Sequence, residues 1–343
     1  MARPFDTVVV GAGIAGCMAA RELASDRRLL VLDRDGIAGA ATGRSAGLVA
    51  PTLFFGDLPQ VARHANHFVR EFDGTGAFEF TPRNRVDLVT ADGRPEAEET
   101  AERRAAEGFP VSYLDAGVVR GRYPALTMDG FVGAVVGVAT STGTYRADEV
   151  VAAAGWRTRR LLLDRLDLPV RPYRTQCVVL DPGKPLDRSF PLVRVASEHL
   201  YVRPEHDGDL LVGGMAEPTD DPEGASTTAD EPFRNRCAAV VPELFHGFER
   251  AGIVTDWAGV DAATPDAATP DARPVVDAPR EGPEGLIVAP GFNGLGVMLS
   301  PIVGPAVREL LGGGHAGFPL RPFSLGRFDS SGADFALTST SDV

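Results

Sequence analysis

The chain has 343 residues, 44% hydrophobic and 24% charged, a mix that excludes collagen-like, disulfide-framework and largely disordered chains. Its net charge of -13, from 47 acidic against 34 basic residues, repels phosphate backbones and anionic headgroups, so nucleic acid is not an expected partner. The length suggests two interleaved units able to bury about three-quarters of the unfolded surface.

In chain order, 7–10 is a β-branched apolar run, 11–16 is glycine-rich, 17–24 is a good helix former and 29–32 is a second apolar run ending in Asp33. That order predicts strand, tight turn, helix and parallel strand, the start of a doubly wound α/β layer. A helix is predicted over 59–72, a strand over 85–90 and a polar helix over 96–107. Runs 131–139 and 144–151 read as two strands joined at Ser141-Thr142-Gly143, a β-meander returning to the nucleotide layer. Four alternating runs, 176–180, 192–196, 199–203 and 210–213, predict an antiparallel sheet able to roof a ligand. Asp261-Ala-Ala-Thr-Pro265 is repeated at once by Asp266-Ala-Ala-Thr-Pro270, a duplicated loop too short for a solenoid. A buried strand over 286–289, a glycine turn over 291–296 and an apolar helix over 297–311 follow; beyond Pro322 the tail is expected to fray.

No apolar segment is long enough to span a membrane, and no cleavage-site pattern precedes the first strand, which predicts a cytoplasmic, soluble chain. Cys17, Cys177 and Cys237 are widely spaced without a CxxC or Cys/His cluster and read as small thiols, with no metal site expected. His64, His67 and His199 have no persuasive ligand spacing.

Gly11-Ala-Gly13-Ile14-Ala15-Gly16 follows a strand and opens a helix, and Asp33 stands 22 residues beyond Gly11 at the end of the next strand. The glycines suit a tight turn, close approach of backbone to a pyrophosphate and helix-on-sheet packing, while Asp33 can accept from ribose hydroxyls. The fingerprint alone does not distinguish FAD from NAD.

Further patches carry a resemblance. With Asp33-Arg34 they are Ala41-Thr42-Gly43-Arg44-Ser45-Ala46-Gly47, 147–156 ending in Ala154-Gly155-Trp156, Tyr201-Val-Arg203-Pro204, Trp257-Ala-Gly259, Thr269-Pro-Asp271 and Gly291-Phe-Asn293-Gly294-Leu295-Gly296. Together they resemble the D-amino-acid-oxidase-like family of FAD-dependent oxidoreductases, with glycine oxidase, sarcosine oxidase and D-amino acid dehydrogenases among its members. The resemblance implies a Rossmann-like, glutathione-reductase-type FAD layer with an interleaved antiparallel substrate sheet. The expected division is 1–75, 127–170 and 256–320 for FAD, 76–126 and 171–255 for the substrate domain, and 321–343 as a tail. Non-covalent FAD is expected along these patches, including Val297 and Met298. Residues 42–47 would run against the flavin, although an ordinary glycine loop also fits them. The amides of 294–297 could hold charge developing on the reduced ring.

On the substrate side the resemblance puts Tyr201 on a roof over the flavin. Arg174 and Arg203, like Arg44, are candidates for gripping a carboxylate, and each is as readily a surface or interdomain residue. Two departures stand out. Relatives carry an arginine for the substrate carboxylate two residues after Trp-Ala-Gly, where this chain has Val260-Asp261, and the empty place could fall to Arg273. The helix and strand that wall the adenine are missing after Gly133-Ala134. The expected activity is oxidation of a C–N bond in a small amine or D-amino acid, with electrons passed on to oxygen or another acceptor. The alternatives are a flavin-binding protein or subunit without turnover and, more remotely, an NAD dehydrogenase. Oligomeric state stays open.

Overall fold

The structure, a computed structural model, describes residues 5–49, 55, 57–129, 131–135, 147–187, 189–205, 207–264 and 273–328. Strand β1 (Phe5–Val10) is followed by helix α1 (Ile14–Leu23) and β2 (Leu29–Leu32). With β6 (Ala147–Ala152) and β12 (Leu286–Val288) they form a four-stranded parallel sheet in the order β12-β6-β1-β2. Ile14, Ala15, Met18, Ala19 and Leu23 recur at helical spacing on α1 and are buried. The last helix lies close against them: a Cβ on Gly304 would stand 2.8 Å from the Glu22 Cβ and 2.9 Å from the Met18 carbonyl.

Helix α2 (Pro59–Phe72) begins at a proline, buries Val61, Ala62, Ala65 and Val69, and contributes Val61, Ala62 and Val69 to the core shared with α1 and the parallel sheet. Helix α3 (Arg94–Ala106) is polar as predicted and contributes Ala101 to that core.

The larger sheet has eight strands, β11-β7-β10-β9-β8-β3-β5-β4. These are β3 (Arg85–Thr90), β4 (Leu114–Asp115), β5 (Phe131–Val135), β7 (Arg171–Asp181), β8 (Leu192–Val195), β9 (Leu200–Pro204), β10 (Leu210–Pro218) and β11 (Gly252–Ala263). Helices α4 (Ala116–Arg122) and α6 (Glu231–Leu244) cover one face, where Phe233, Phe245 and Phe248 are fully buried. The other face looks toward the parallel sheet. The short α5 (Arg157–Leu162) follows β6.

Several expectations need correcting. The four alternating runs do pair antiparallel, as β7, β10, β9 and β8, but the sheet as a whole is mixed, because β3 and β8 run parallel. Strands β5 and β6 form no meander: β5 pairs with β3 and β4 in the large sheet, whereas β6 pairs with β1 and β12 in the parallel one. The expected turn at Ser141-Thr142-Gly143 lies outside the described residues, as does the second Asp-Ala-Ala-Thr-Pro copy. The division at 127 and 256 therefore cut through the large sheet, which holds β5 and the whole of β11. The apolar helix is interrupted: α7 (Gly296–Leu299) passes through a 3-10 turn at Ser300–Ile302, where Pro301 lacks an amide donor, into α8 (Val303–Leu310). The tail is packed as far as 328, because Phe323 is fully buried and its carbonyl accepts from the Val276 amide.

Candidate cofactor and active site

One cavity of about 920 Å³ lies between the two sheets. Its floor is mostly backbone. Gly11 has φ +119°, and a Cβ there would stand 2.3 Å from the Ala153 carbonyl oxygen, so only glycine lets β1 turn this closely past the end of β6. Gly13 differs: it lines the cavity, and its nearest obstacle to a Cβ is the Thr42 hydroxyl at 3.4 Å. Ile14 and Ala15 line the cavity beside it, and the Ile14 amide donates to Thr42 Oγ1 at 3.0 Å. Gly16 is buried within α1. Asp33 lines the cavity at the end of β2, accepting from the amides of Ala12 and Asp35.

The second wall comes from the small-residue loop. Ala41, Thr42, Arg44, Ser45 and Ala46 line the cavity. Gly43 has no room for a side chain, since a Cβ would stand 2.2 Å from the Ala38 carbonyl, and Gly47 has φ +65°. The Trp257 indole N–H donates to the Arg44 carbonyl at 2.9 Å, and the Arg203 Nε donates to the Ala46 carbonyl at 2.7 Å, tying the loop to the large sheet. Ala154, Gly155 and Trp156 close one side, and Gly294, Leu295, Gly296, Val297 and Met298 another.

Strand register builds the roof. Trp257, Gly259 and Asp261 on β11 stand opposite Cys177, Thr175 and Tyr173 on β7, and all six line the cavity. In the row through Cys177, Gly213 pairs with Tyr201 and Tyr201 with Arg194. A Cβ on Gly213 would fall 2.3 Å from the Tyr201 phenol, so that ring lies across the glycine. The Tyr201 hydroxyl is 3.7 Å from Cys177 Sγ. Burial raises both phenols, Tyr201 and Tyr173, well above their ordinary pKa and pushes the Cys177 thiol up to about 11, so all three stay protonated at neutral pH.

Asp261 is on the cavity wall. Its Oδ2 accepts from the Gly294 amide at 3.0 Å and the Tyr173 hydroxyl at 3.4 Å, and its Oδ1 accepts from the Ala262 amide at 2.8 Å. Burial raises its pKa against the pull of these donors. The Gly294 amide, expected to face charge on the flavin, is thus already engaged by a carboxylate.

Of the three catalytic candidates only Tyr201 lines the cavity. Arg174 does not: it faces α6 and its preceding loop, bonding Asp230 at 3.0 Å and the carbonyls of Ser226 and Thr228. Arg203 stands outside the cavity, pairing with Glu205 at 2.9 Å while it holds the Ala46 loop. Asn293, expected at the cofactor, turns its amide to Thr264 Oγ1 at 3.0 Å. Arg273 is also off the cavity, paired with Asp57. The cavity instead gathers Arg85, Arg194, Arg157 and Glu223, none of them singled out beforehand. Alternation in 173–177 and 257–261 was the available signal for the β7 and β11 pairs; the charged residues meet only through the tertiary fold. Among the described residues no cluster of potential metal ligands occurs, and no helix is long and apolar enough to cross a membrane.

A glycine-lined dinucleotide groove beneath a sheet carrying polar side chains is the architecture of a flavin-type oxidoreductase. The family model described as FAD dependent oxidoreductase matches residues 6–138 and 129–310, and the chain belongs to that family. It is 26% identical to the glycine oxidase of Pseudomonas putida over 89% of this chain and 94% of that protein. It is 30% identical to the glycine oxidase of Geobacillus kaustophilus over 55% of this chain, a match spanning 47% of that relative. The crystal structure of the Geobacillus kaustophilus enzyme superposes with a TM-score of 0.81 at 21% identity, covering 95% of this chain and 99% of that one. The protein is an FAD-dependent oxidoreductase. The groove fits the cofactor: closely packed backbone at Gly11 and open space at Gly13 are what a pyrophosphate needs.

Proposed function

We propose that this enzyme oxidises the C–N bond of a small amine or basic amino acid. The observation that carries the reading is Asp261, a carboxyl on the cavity wall where a carboxylate-gripping cation would otherwise stand. An ionised carboxylate there repels a substrate carboxylate and attracts an amine cation. When bound, FAD would supply the oxidant that takes hydride from the carbon next to nitrogen, and the imine so formed would hydrolyse in water.

The chain's own contribution is placement. Gly13, Ile14 and Ala15 offer backbone to the pyrophosphate, and Trp257 and Arg203 fix the 41–47 loop from the roof. Tyr173 orients Asp261 through its hydroxyl, while Tyr201, spread over Gly213, gives the substrate an apolar wall with a neutral donor at its edge. FAD is held non-covalently on this reading, since neither cysteine nor histidine occurs in 40–47 or 291–298, the segments expected against the flavin ring.

The test is anaerobic mixing of the FAD-loaded protein with a panel of amines, N-methyl amines and amino acids. Bleaching of the flavin band near about 450 nm by primary or secondary amines supports the reading. A yellow protein inert to the whole panel would contradict it and favour a flavin-binding role without turnover.

A further inference from the structure

The parallel sheet ends at β2 with no strand beyond it among the described residues. Here, past Asp33, the adenosine half of a dinucleotide lies in this fold. Leu32 and Leu161 line the cavity at this end with 38% and 56% of their surface exposed, an apolar bed open to a planar ring. What stands over it comes from the other domain.

The loop 219–228, between β10 and α6, brings Glu223 to the cavity edge. Its two carboxylate oxygens accept from both terminal nitrogens of Arg34, at 3.0 and 2.8 Å, and from Arg157 Nε and Nη2 at 3.2 and 3.1 Å. Arg157 also reaches Asp35 at 3.4 Å and lies 4.4 Å over the Trp156 ring. These links join residues 189 and 66 positions apart in sequence, across the two domains. The loop has internal support, since the Asp221 carboxylate accepts from the Gly224 amide at 2.9 Å.

We propose that loop 219–228 is the outer wall of the adenosine end of the FAD groove, latched by Glu223 through Arg34 and Arg157, so that the substrate domain itself retains the cofactor. The inference rests on FAD binding and not on the substrate reading above. Two forked guanidiniums on one carboxylate make a geometry that neutral replacement cannot reproduce. The hydrogen bonds from Arg34 and then Arg157 hold the Glu223 carboxyl down to about 2, so the latch is ionised throughout the neutral range.

The experiment compares wild type with Glu223→Gln as apoprotein, titrated with FAD by flavin fluorescence and with ADP as competitor, ADP carrying the adenosine pyrophosphate and no flavin. Because the cluster is partly exposed, the expected rise in the FAD dissociation constant is about three- to tenfold. The ADP constant should rise by the same factor. Salt near ~1 M should bring wild type close to the variant. Unchanged FAD affinity would overturn the proposal, as would FAD weakened with ADP unaffected. Reduced binding stoichiometry at an unchanged dissociation constant would mark a folding defect and also overturn it.

Discussion

Floor and roof of the cavity are made of different material. At the floor, Gly11, Gly13, Ala154 and Gly296 bring backbone to the ligand, and what matters is the space a Cβ would fill. At the roof, Tyr173, Cys177, Tyr201, Trp257 and Asp261 present side chains from three strands, placed by cross-strand register. On the proposed reading, the cofactor, the same molecule in every turnover, meets a surface with little chemistry to vary, and the substrate meets one where each side chain can change independently. Mutations should therefore separate cofactor retention from substrate selection.

The sharpest separation is expected at two neighbouring glycines. Gly13→Val places its methyls in the groove with only the Thr42 hydroxyl nearby, so the chain should fold and lose its flavin entirely. Gly11→Ala meets the Ala153 backbone and a positive φ, so it should lose both flavin and stability. Flavin released per protein and the melting temperature of the apoprotein read the two effects. Wild-type occupancy in Gly13→Val would remove the assignment of this turn.

At the roof, Gly213→Ala drives a methyl into the Tyr201 ring and should impair kcat/KM at least as much as Tyr201→Phe, about tenfold, with flavin content unchanged. Steady-state kinetics decide it; loss of flavin in either variant would erase the distinction between the two surfaces.

A smaller effect is expected on stability. Burial raises the pKa of Asp261 above its ordinary 3.8, so the folded state holds that proton more tightly than the unfolded chain. The resulting stabilisation is full below pH ~3.8 and is lost as pH rises through the raised value. Measured as variant minus wild type, the melting-temperature difference for Asp261→Asn should therefore be about 1–3 °C higher at neutral pH than in acid. A difference higher in acid than at neutral pH would mean that the carboxylate is stabilised by its site.

Arg174→Gln should be the mildest in function: it faces α6 across from Asp230, so KM should move less than about twofold even where melting temperature falls. A large rise in KM would return Arg174 to the substrate site.

The floor was legible in the sequence because a glycine turn is a local pattern, complete between residues 11 and 33. Helix α2 was legible for the same reason, its apolar stripe starting at Pro59. The roof was not. Arg174 and Arg203 were plausible anion partners by residue type, but β7 turns Arg174 to the covered face while Tyr173 and Thr175 line the cavity, and that parity depends on register set by other strands. The misread meander failed similarly: two adjacent strand-forming runs carry no mark of which sheet each joins. Glu223 had no local signal at all, since its partners are brought to it by the docking of two domains.

The most direct test of the roof as selector is the rate of anaerobic flavin reduction for paired substrates, an amine and the same amine bearing an α-carboxylate, in wild type, Asp261→Asn and Asp261→Arg. At an effective dielectric near 20, two like charges 4 Å apart cost up to about 4 kcal/mol, several hundredfold in binding. Wild type should favour the amine, Asp261→Asn should narrow the ratio and Asp261→Arg should reverse it, all at full flavin occupancy. A ratio unchanged across the three proteins would place Asp261 outside substrate selection and contradict the account.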